Sequence, residues 1–149
     1  MPARYEFNIE RTMEAPPARV FDALLDPEEQ LLWWGGERDT VRTTCDLRVG
    51  GTASIVWGQS ADALIRADQV FREIDRPNRI VYDETVTQAV SPVYACRLTF
   101  TLDGMGDSTR LSLHHVGFPT LEERNLHEGG TRIFLDRLAR YLQPSKSRA

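Results

Sequence analysis

Alternating apolar and polar side chains near the start of the chain predict a β-strand from Tyr5 to Met13. Two short helices are predicted after it, from Pro17 to Leu25 and from about Pro27 to Trp34. Proline is tolerated in the first turn of a helix because its missing N–H would have no partner there. Gly35-Gly36 is predicted to end the second helix.

The middle of the chain is rich in segments that alternate with a period of two, the spacing typical of antiparallel strands. Turn-forming residues separate them, as at Asp75 to Asn78 and Asp103 to Asp107. In the last strand, Leu111, Leu113 and His115 are predicted to face one side of the sheet. The predicted strands are Val41 to Asp46, Thr52 to Trp57, Ala63 to Ile74, Arg79 to Val86, Tyr94 to Leu102 and Thr109 to His115.

The segment from Thr120 to Gln143 is long enough for a helix that covers a sheet. Thr120 and Glu123 have the spacing of a capping box, which pairs the free N–H groups of a helix start. Gly129 and Gly130 leave two interpretations: they break the helix in two, or they leave room beneath it for something other than a protein side chain. The predicted inner face holds His127, Gly130, Thr131, Phe134, Leu138, Tyr141 and Leu142.

The order of the elements predicts an α+β fold: a strand, two short helices, further antiparallel strands and one long helix. We expect a curved antiparallel sheet of about six to seven strands, wrapped around the C-terminal helix. A single domain over residues 1–149 is predicted from the length, with residues 144–149 as a loose tail.

Composition narrows the possible partners. The net charge of −4 argues against a general binder of nucleic acid or anionic membranes. Cys45 and Cys96 lack metal-ligand spacing and form no disulfide framework, which favours a reducing cytoplasm. The N-terminus does not resemble a signal peptide, and no apolar run approaches the roughly 20 residues of a membrane span. We therefore expect a cytoplasmic protein, with no cofactor and no metal predicted.

Five segments together resemble the activator of Hsp90 ATPase homologue 1-like family, within the START/Bet v 1-like (SRPBCC) superfamily of helix-grip proteins. The resemblance covers about Tyr5 to Leu142. One departure stands out: His127 and Gly130 match the family pattern, but Thr131 stands where tryptophan is usual, which would enlarge or reshape a cavity. The matching segments are APPARVFDALLDPEEQLLWWGG, DLRVGGTASIVW, REIDRPNRIVYDE, TRLSLHHVGFP and HEGGTRIFLDRLARYL.

The resemblance implies a ligand cavity between the sheet and the last helix. A histidine in it, His115 or His127, could orient a ligand carbonyl or act as an acid or base. The alternative is a structural histidine that ties loop to helix. The predicted lining residues are Trp34, Ile55, Trp57, Phe71, Tyr82, Leu113, His115, Phe118, His127, Gly130 and Phe134.

Three functions follow from the resemblance. The first is a binder of a small hydrophobic or aromatic molecule. The second is a polyketide-cyclase-like or hydrolase-like enzyme that uses a pocket histidine, although the sequence holds no catalytic constellation. The third is a co-factor of an Hsp90-type chaperone, with a link to the stress response. The sequence leaves monomer and homodimer open.

Overall fold

The structure is a computed structural model that describes residues 4–34, 41–58, 64–87 and 94–144. Its elements follow the predicted order. They are β1 (Tyr5–Met13), α1 (Pro17–Leu25), α2 (Pro27–Trp33), β2 (Arg42–Cys45), β3 (Thr52–Gly58), β4 (Leu64–Asp75), β5 (Arg79–Thr87), β6 (Ala95–Met105), β7 (Ser108–Phe118) and α3 (Leu121–Leu142).

The described strands form one antiparallel sheet in the order β1-β7-β6-β5-β4-β3-β2. Each strand from β2 to β7 pairs with its neighbour in the chain, while β1 returns to pair with β7. Buried and exposed residues alternate along β1, β6 and β7, so one face of the sheet carries the apolar core. The predicted α+β class and the sheet of six to seven strands are confirmed.

The hairpin between β6 and β7 is tighter than predicted. Met105 pairs with Ser108, so only Gly106 and Asp107 remain in a turn that was expected to span five residues. Gly106 has a φ of 75°, a conformation that suits glycine and lets the two strands reverse at once. The predicted start of a strand at Ala63 and the helix stop at Gly35-Gly36 lie outside the described residues.

Helices α1 and α2 form a corner that packs against one end of α3. The Asp26 side chain accepts a hydrogen bond from the Glu28 N–H and caps α2, as the acid–proline pattern predicts. The indole N–H of Trp33 donates to the Ala23 carbonyl at 2.8 Å and fixes α2 on α1. The buried Trp33 therefore acts as a structural anchor of this corner.

Helix α3 is continuous, so the interpretation that Gly129 and Gly130 break it is wrong. The Thr120 hydroxyl accepts a hydrogen bond from the Glu123 N–H at 3.1 Å, the first half of the predicted capping box. The C-terminal half of α3 packs most deeply on the sheet, through Leu135, Leu138, Ala139 and Leu142.

Polar contacts fix α3 at both ends. Arg137 donates to the Trp34 carbonyl at 2.8 Å, and Arg124 donates to the Glu6 carbonyl at 2.9 Å. None of the described helices is both long and apolar enough to cross a membrane.

Candidate functional site

A cavity of about 360 Å³ lies between the inner face of the sheet and helix α3, with α2 closing one side. This volume falls within the roughly 300–1,000 Å³ typical of small-molecule sites. The deep packing of α3 is confined to its C-terminal half, and the cavity opens beneath the stretch around Gly130.

Nine of the eleven residues predicted to line a cavity do line it. Phe71 and Phe118 do not; both are fully buried and pack in the core away from the cavity wall. Phe118 follows Gly117, whose φ of 127° alters the course of β7. The Phe118 ring stacks on Phe7 with ring centroids 5.5 Å apart. The nine are Trp34, Ile55, Trp57, Tyr82, Leu113, His115, His127, Gly130 and Phe134.

One end of the cavity is aromatic. Trp34 stacks on Phe134 with ring centroids 4.5 Å apart, and Trp57 meets Trp34 edge-on at 5.2 Å. The three rings come from the C-cap of α2, from β3 and from α3, and Thr131 lines the same cavity. Tryptophans thus occupy space near the position where the family usually has one, yet open volume remains.

Gly130 supplies part of that open volume. A Cβ atom built on Gly130 would meet no atom within 4 Å, and Gly130 is part of the cavity wall. Gly129 has equal space around it, but it faces outward and is exposed. The interpretation that the glycine pair leaves room beneath the helix therefore holds for Gly130.

The opposite end of the cavity carries a short hydrogen-bond chain. The Tyr94 hydroxyl lies 2.9 Å from Nε2 of His127 and donates to Oε2 of Glu123 at 3.0 Å. With the hydroxyl proton directed to Glu123, His127 carries a proton on Nε2 and donates to Tyr94. Burial lowers the pKa of His127, while the Glu123 carboxylate partly opposes that shift. His127 is therefore neutral at pH 7 and held in one orientation.

His115 lies on β7 next to this chain, 6.1 Å from His127 between ring centroids, and is 3% exposed. Burial, assisted by His127 and His114, lowers its pKa to about 3. Its Nδ1 is buried with no hydrogen-bond partner in the described structure. An unpaired N–H is costly to bury. We therefore place the proton of the neutral ring on Nε2.

A second polar pair lies on the sheet. Gln69 on β4 donates to Oε1 of Glu84 on the neighbouring β5 at 3.0 Å, and both residues line the cavity. Burial raises the pKa of the Glu84 carboxyl, while the bond from Gln69 works in the opposite direction. Burial and the nearby Glu84 also raise the pKa of the Tyr82 hydroxyl.

Sequence reasoning missed several polar residues of the site. Alternation would have found two of them, because Gln69 is two residues from Phe71 and Glu84 is two residues from Tyr82, on the same faces. The sequence predicts only a capping role for Glu123, and no local pattern indicates that Tyr94 reaches α3. The missed polar residues are Gln30, Gln69, Glu84, Tyr94 and Glu123.

Among the described residues, no group of three or more His, Cys, Asp or Glu side chains is placed to hold a metal ion. Cys96 is buried and Cys45 is half-buried, and both are free thiols.

Solved structures similar to this chain include Mll3558 from Rhizobium loti, with 30% identity, a TM-score of 0.79, and coverage of 94% of this chain and 98% of that one. A protein from Rhizobium leguminosarum has 26% identity, a TM-score of 0.79 and coverage of 94% and 95%. CalU16 from Micromonospora echinospora, with 21% identity, a TM-score of 0.69 and coverage of 93% and 76%, shares the fold. No curated protein matches the chain.

The family described as Activator of Hsp90 ATPase homolog 1-like protein matches residues 14–143 of the 149. That span includes both short helices, β2 to β7 and α3, and hence every residue of the cavity wall named above. The chain therefore belongs to the activator of Hsp90 ATPase homologue 1-like family, with the SRPBCC fold.

Proposed function

We propose that this protein binds a small hydrophobic or aromatic molecule in the cavity between its sheet and helix α3. The observation that carries the proposal is the open cavity of about 360 Å³ under Gly130, beside a core of buried apolar side chains. Close packing is the rule in protein interiors, and voids this large are few. A fold that keeps such a space is suited to a ligand.

The two ends of the cavity support the kind of ligand proposed. Trp34, Trp57 and Phe134 offer ring surfaces for apolar and aromatic contacts. His115 and His127 at the other end offer hydrogen bonds that would fix the orientation of the ligand. An apolar wall with a few converging polar groups is the usual construction of a ligand site.

A pair of glycine variants tests the proposal. Gly130→Leu places a side chain in the cavity, whereas Gly129→Leu places the same side chain on the exposed surface of the same helix turn. Binding is measured by isothermal titration calorimetry with ligands found in a thermal-shift screen of aromatic, polyketide-like and lipid compounds. We expect Gly130→Leu to weaken binding at least tenfold and Gly129→Leu to leave it within twofold.

Equal binding by the two leucine variants would place the ligand elsewhere and overturn the proposal. Gly130→Ala serves as a further control, since it makes the same backbone change with little loss of volume. It is expected to keep most of the affinity.

A second candidate is an enzyme that uses a pocket histidine. The supporting observation is the chain of hydrogen bonds from His127 through Tyr94 to Glu123, which holds a neutral imidazole at the cavity wall. A neutral, oriented imidazole is suited to general acid–base catalysis. If a substrate is found, the double variant His115→Ala/His127→Ala is expected to lose turnover, and unchanged turnover would exclude this function.

Family membership also accommodates contact with an Hsp90-type chaperone. A purified chaperone whose ATPase rate does not change on addition of this protein would count against that role.

A further inference from the structure

We infer that the cavity selects by charge: it takes an aromatic ligand whose polar end is a hydroxyl or amine, and it discriminates against carboxylates and other anions. The inference rests on the proposed function and names the ligand class for the same cavity. It follows from which charged and polar groups form the wall.

The described wall contains two carboxyl groups and no lysine or arginine. Glu84 comes from the sheet and Glu123 from the first turn of α3, on different sides of the cavity. His115 and His127 also belong to the wall, but burial keeps both rings neutral at pH 7. Among the wall residues described, nothing with a positive charge is available to neutralise an anion.

An anionic ligand would therefore lose its water without gaining a counter-charge. Burying an unpaired carboxylate is among the most costly changes a site can undergo. Repulsion from the Glu123 carboxylate, and from Glu84 when it is ionised, would add to that cost, since charges attract or repel more strongly away from bulk water. Fatty acids and aromatic acids are thus unfavourable occupants despite their apolar bodies.

Apart from the indole N–H of Trp34, a donor without a partner in the described structure, the polar atoms that remain open suit a donor on the ligand. Gln69 occupies Oε1 of Glu84, while Oε2 has no hydrogen-bond partner among the described residues. A carboxylate offers about four acceptor positions. A hydroxyl or ammonium group of a ligand could therefore bind there without displacing Gln69. An ammonium would in addition favour the ionised form of Glu84, whose burial otherwise disfavours it.

Three matched naphthalenes test the inference, carrying an aminomethyl, a hydroxymethyl or a carboxylate group at the same ring carbon. Dissociation constants are measured by isothermal titration calorimetry at pH 7. We expect the carboxylate to bind at least tenfold more weakly than both the alcohol and the amine. If the carboxylate binds as well as the alcohol, the inference is overturned and the proposed function stands. If none of the three binds, a site for aromatic molecules is refuted, and the inference with it.

The variant Glu84→Gln tests the role assigned to that carboxyl. The amide has nearly the same shape and its carbonyl can still accept from Gln69. We expect the amine to bind Glu84→Gln about tenfold more weakly than it binds the unmodified protein. The dissociation constant of the carboxylate is expected to come within about threefold of that of the alcohol. Glu10→Gln is the matched control because it removes the same charge from the exposed face of β1 and is expected to leave the order unchanged. An unchanged order in Glu84→Gln would overturn the role of Glu84.

Discussion

His115 links the cavity to the pH dependence of folding. Its ring packs against both Phe7 and Phe118, with centroids 5.0 and 4.6 Å away, and its pKa in the folded protein is about 3. An unfolded histidine titrates near 6.5. As the pH falls below 6.5, the unfolded chain therefore binds a proton that the folded protein excludes. The free energy of unfolding declines as the pH falls from 6.5 to 3.

The variant His115→Phe is expected to lose part of this pH dependence. Between pH 7.5 and pH 5, exclusion of one proton by His115 costs the folded protein about 2 kcal/mol. Urea denaturation measures the free energy of unfolding at the two pH values. We expect the difference between the two values to be about 2 kcal/mol smaller in His115→Phe than in the unmodified protein. Glu84 acts in the opposite direction. Because its pKa is raised in the folded protein, stability falls as the pH rises above the ordinary pKa of a glutamate side chain.

A control for this prediction is His114→Gln. His114 is the neighbouring histidine on the outer face of β7, half-exposed and 3.4 Å from Glu6. His115 stays buried in this variant, so the pH dependence assigned to His115 is expected to remain. If His115→Phe behaves like His114→Gln, then His115 is not the group that excludes the proton.

At this scale the sequence is informative wherever a residue lies within a regular strand. Parity places His115 on the leucine face of β7, and the structure confirms that it is buried there. Tyr94 is different, because it precedes β6 and meets α3 through a long-range contact with Glu123 and His127. No local sequence pattern predicts a contact between residues 29 positions apart.

Helix α3 carries two adjacent glycines in its interior and remains a single helix. Its ends and C-terminal half are fixed by Thr120, Arg124 and Arg137, so tertiary contacts outweigh the weak helix preference of glycine. The sequence left the break and the continuous helix open, because it shows the propensity of the glycines but not these contacts.

Gly129→Ala is expected to stabilise the protein by about 0.5–1 kcal/mol, since alanine has less backbone freedom to lose and its Cβ meets no atom. Gly130→Ala is expected to behave similarly, because there too the Cβ has open space. Chemical denaturation measures both values. Destabilisation by either variant would show that the helix needs glycine at that position for a reason other than space.

Strand ends were the least accurate part of the element prediction. The strands β6 and β7 pair as far as Met105 and Ser108. The glycine and aspartate residues of this segment predict a longer turn. Cross-strand pairing decides such boundaries, and it depends on a partner strand that a local pattern does not reveal.

At the scale of the whole molecule, the sheet order depends on β1. The hairpins from β2 to β7 follow from neighbouring segments with turns between them, whereas the pairing of β1 with β7 joins Tyr5 to Phe118 and Met13 to Thr109. The order of the elements predicts a curved sheet around the last helix, but the local pattern of β1 does not reveal its partner strand. The cavity volume was likewise beyond sequence reasoning, because it depends on how far α3 stands from the sheet.

Occupation of the cavity is expected to stabilise the entire fold. A ligand that binds only the folded state at 100 times its dissociation constant adds about 2.7 kcal/mol to the free energy of unfolding. For a protein of this size that corresponds to a rise in Tm of about 5–10 °C. Differential scanning calorimetry measures the rise, which should be absent in Gly130→Leu. A ligand that binds by calorimetric titration yet leaves Tm unchanged would contradict binding in the cavity.

All three tryptophans of the sequence, Trp33, Trp34 and Trp57, border the cavity. The indole fluorescence of this protein therefore originates entirely at the proposed site, where Trp34 and Trp57 are in ring contact. An entering molecule would alter the emission wavelength and intensity without any added label. The fold thus contains its own optical reporter, one that distinguishes a filled interior from an empty one in dilute solution.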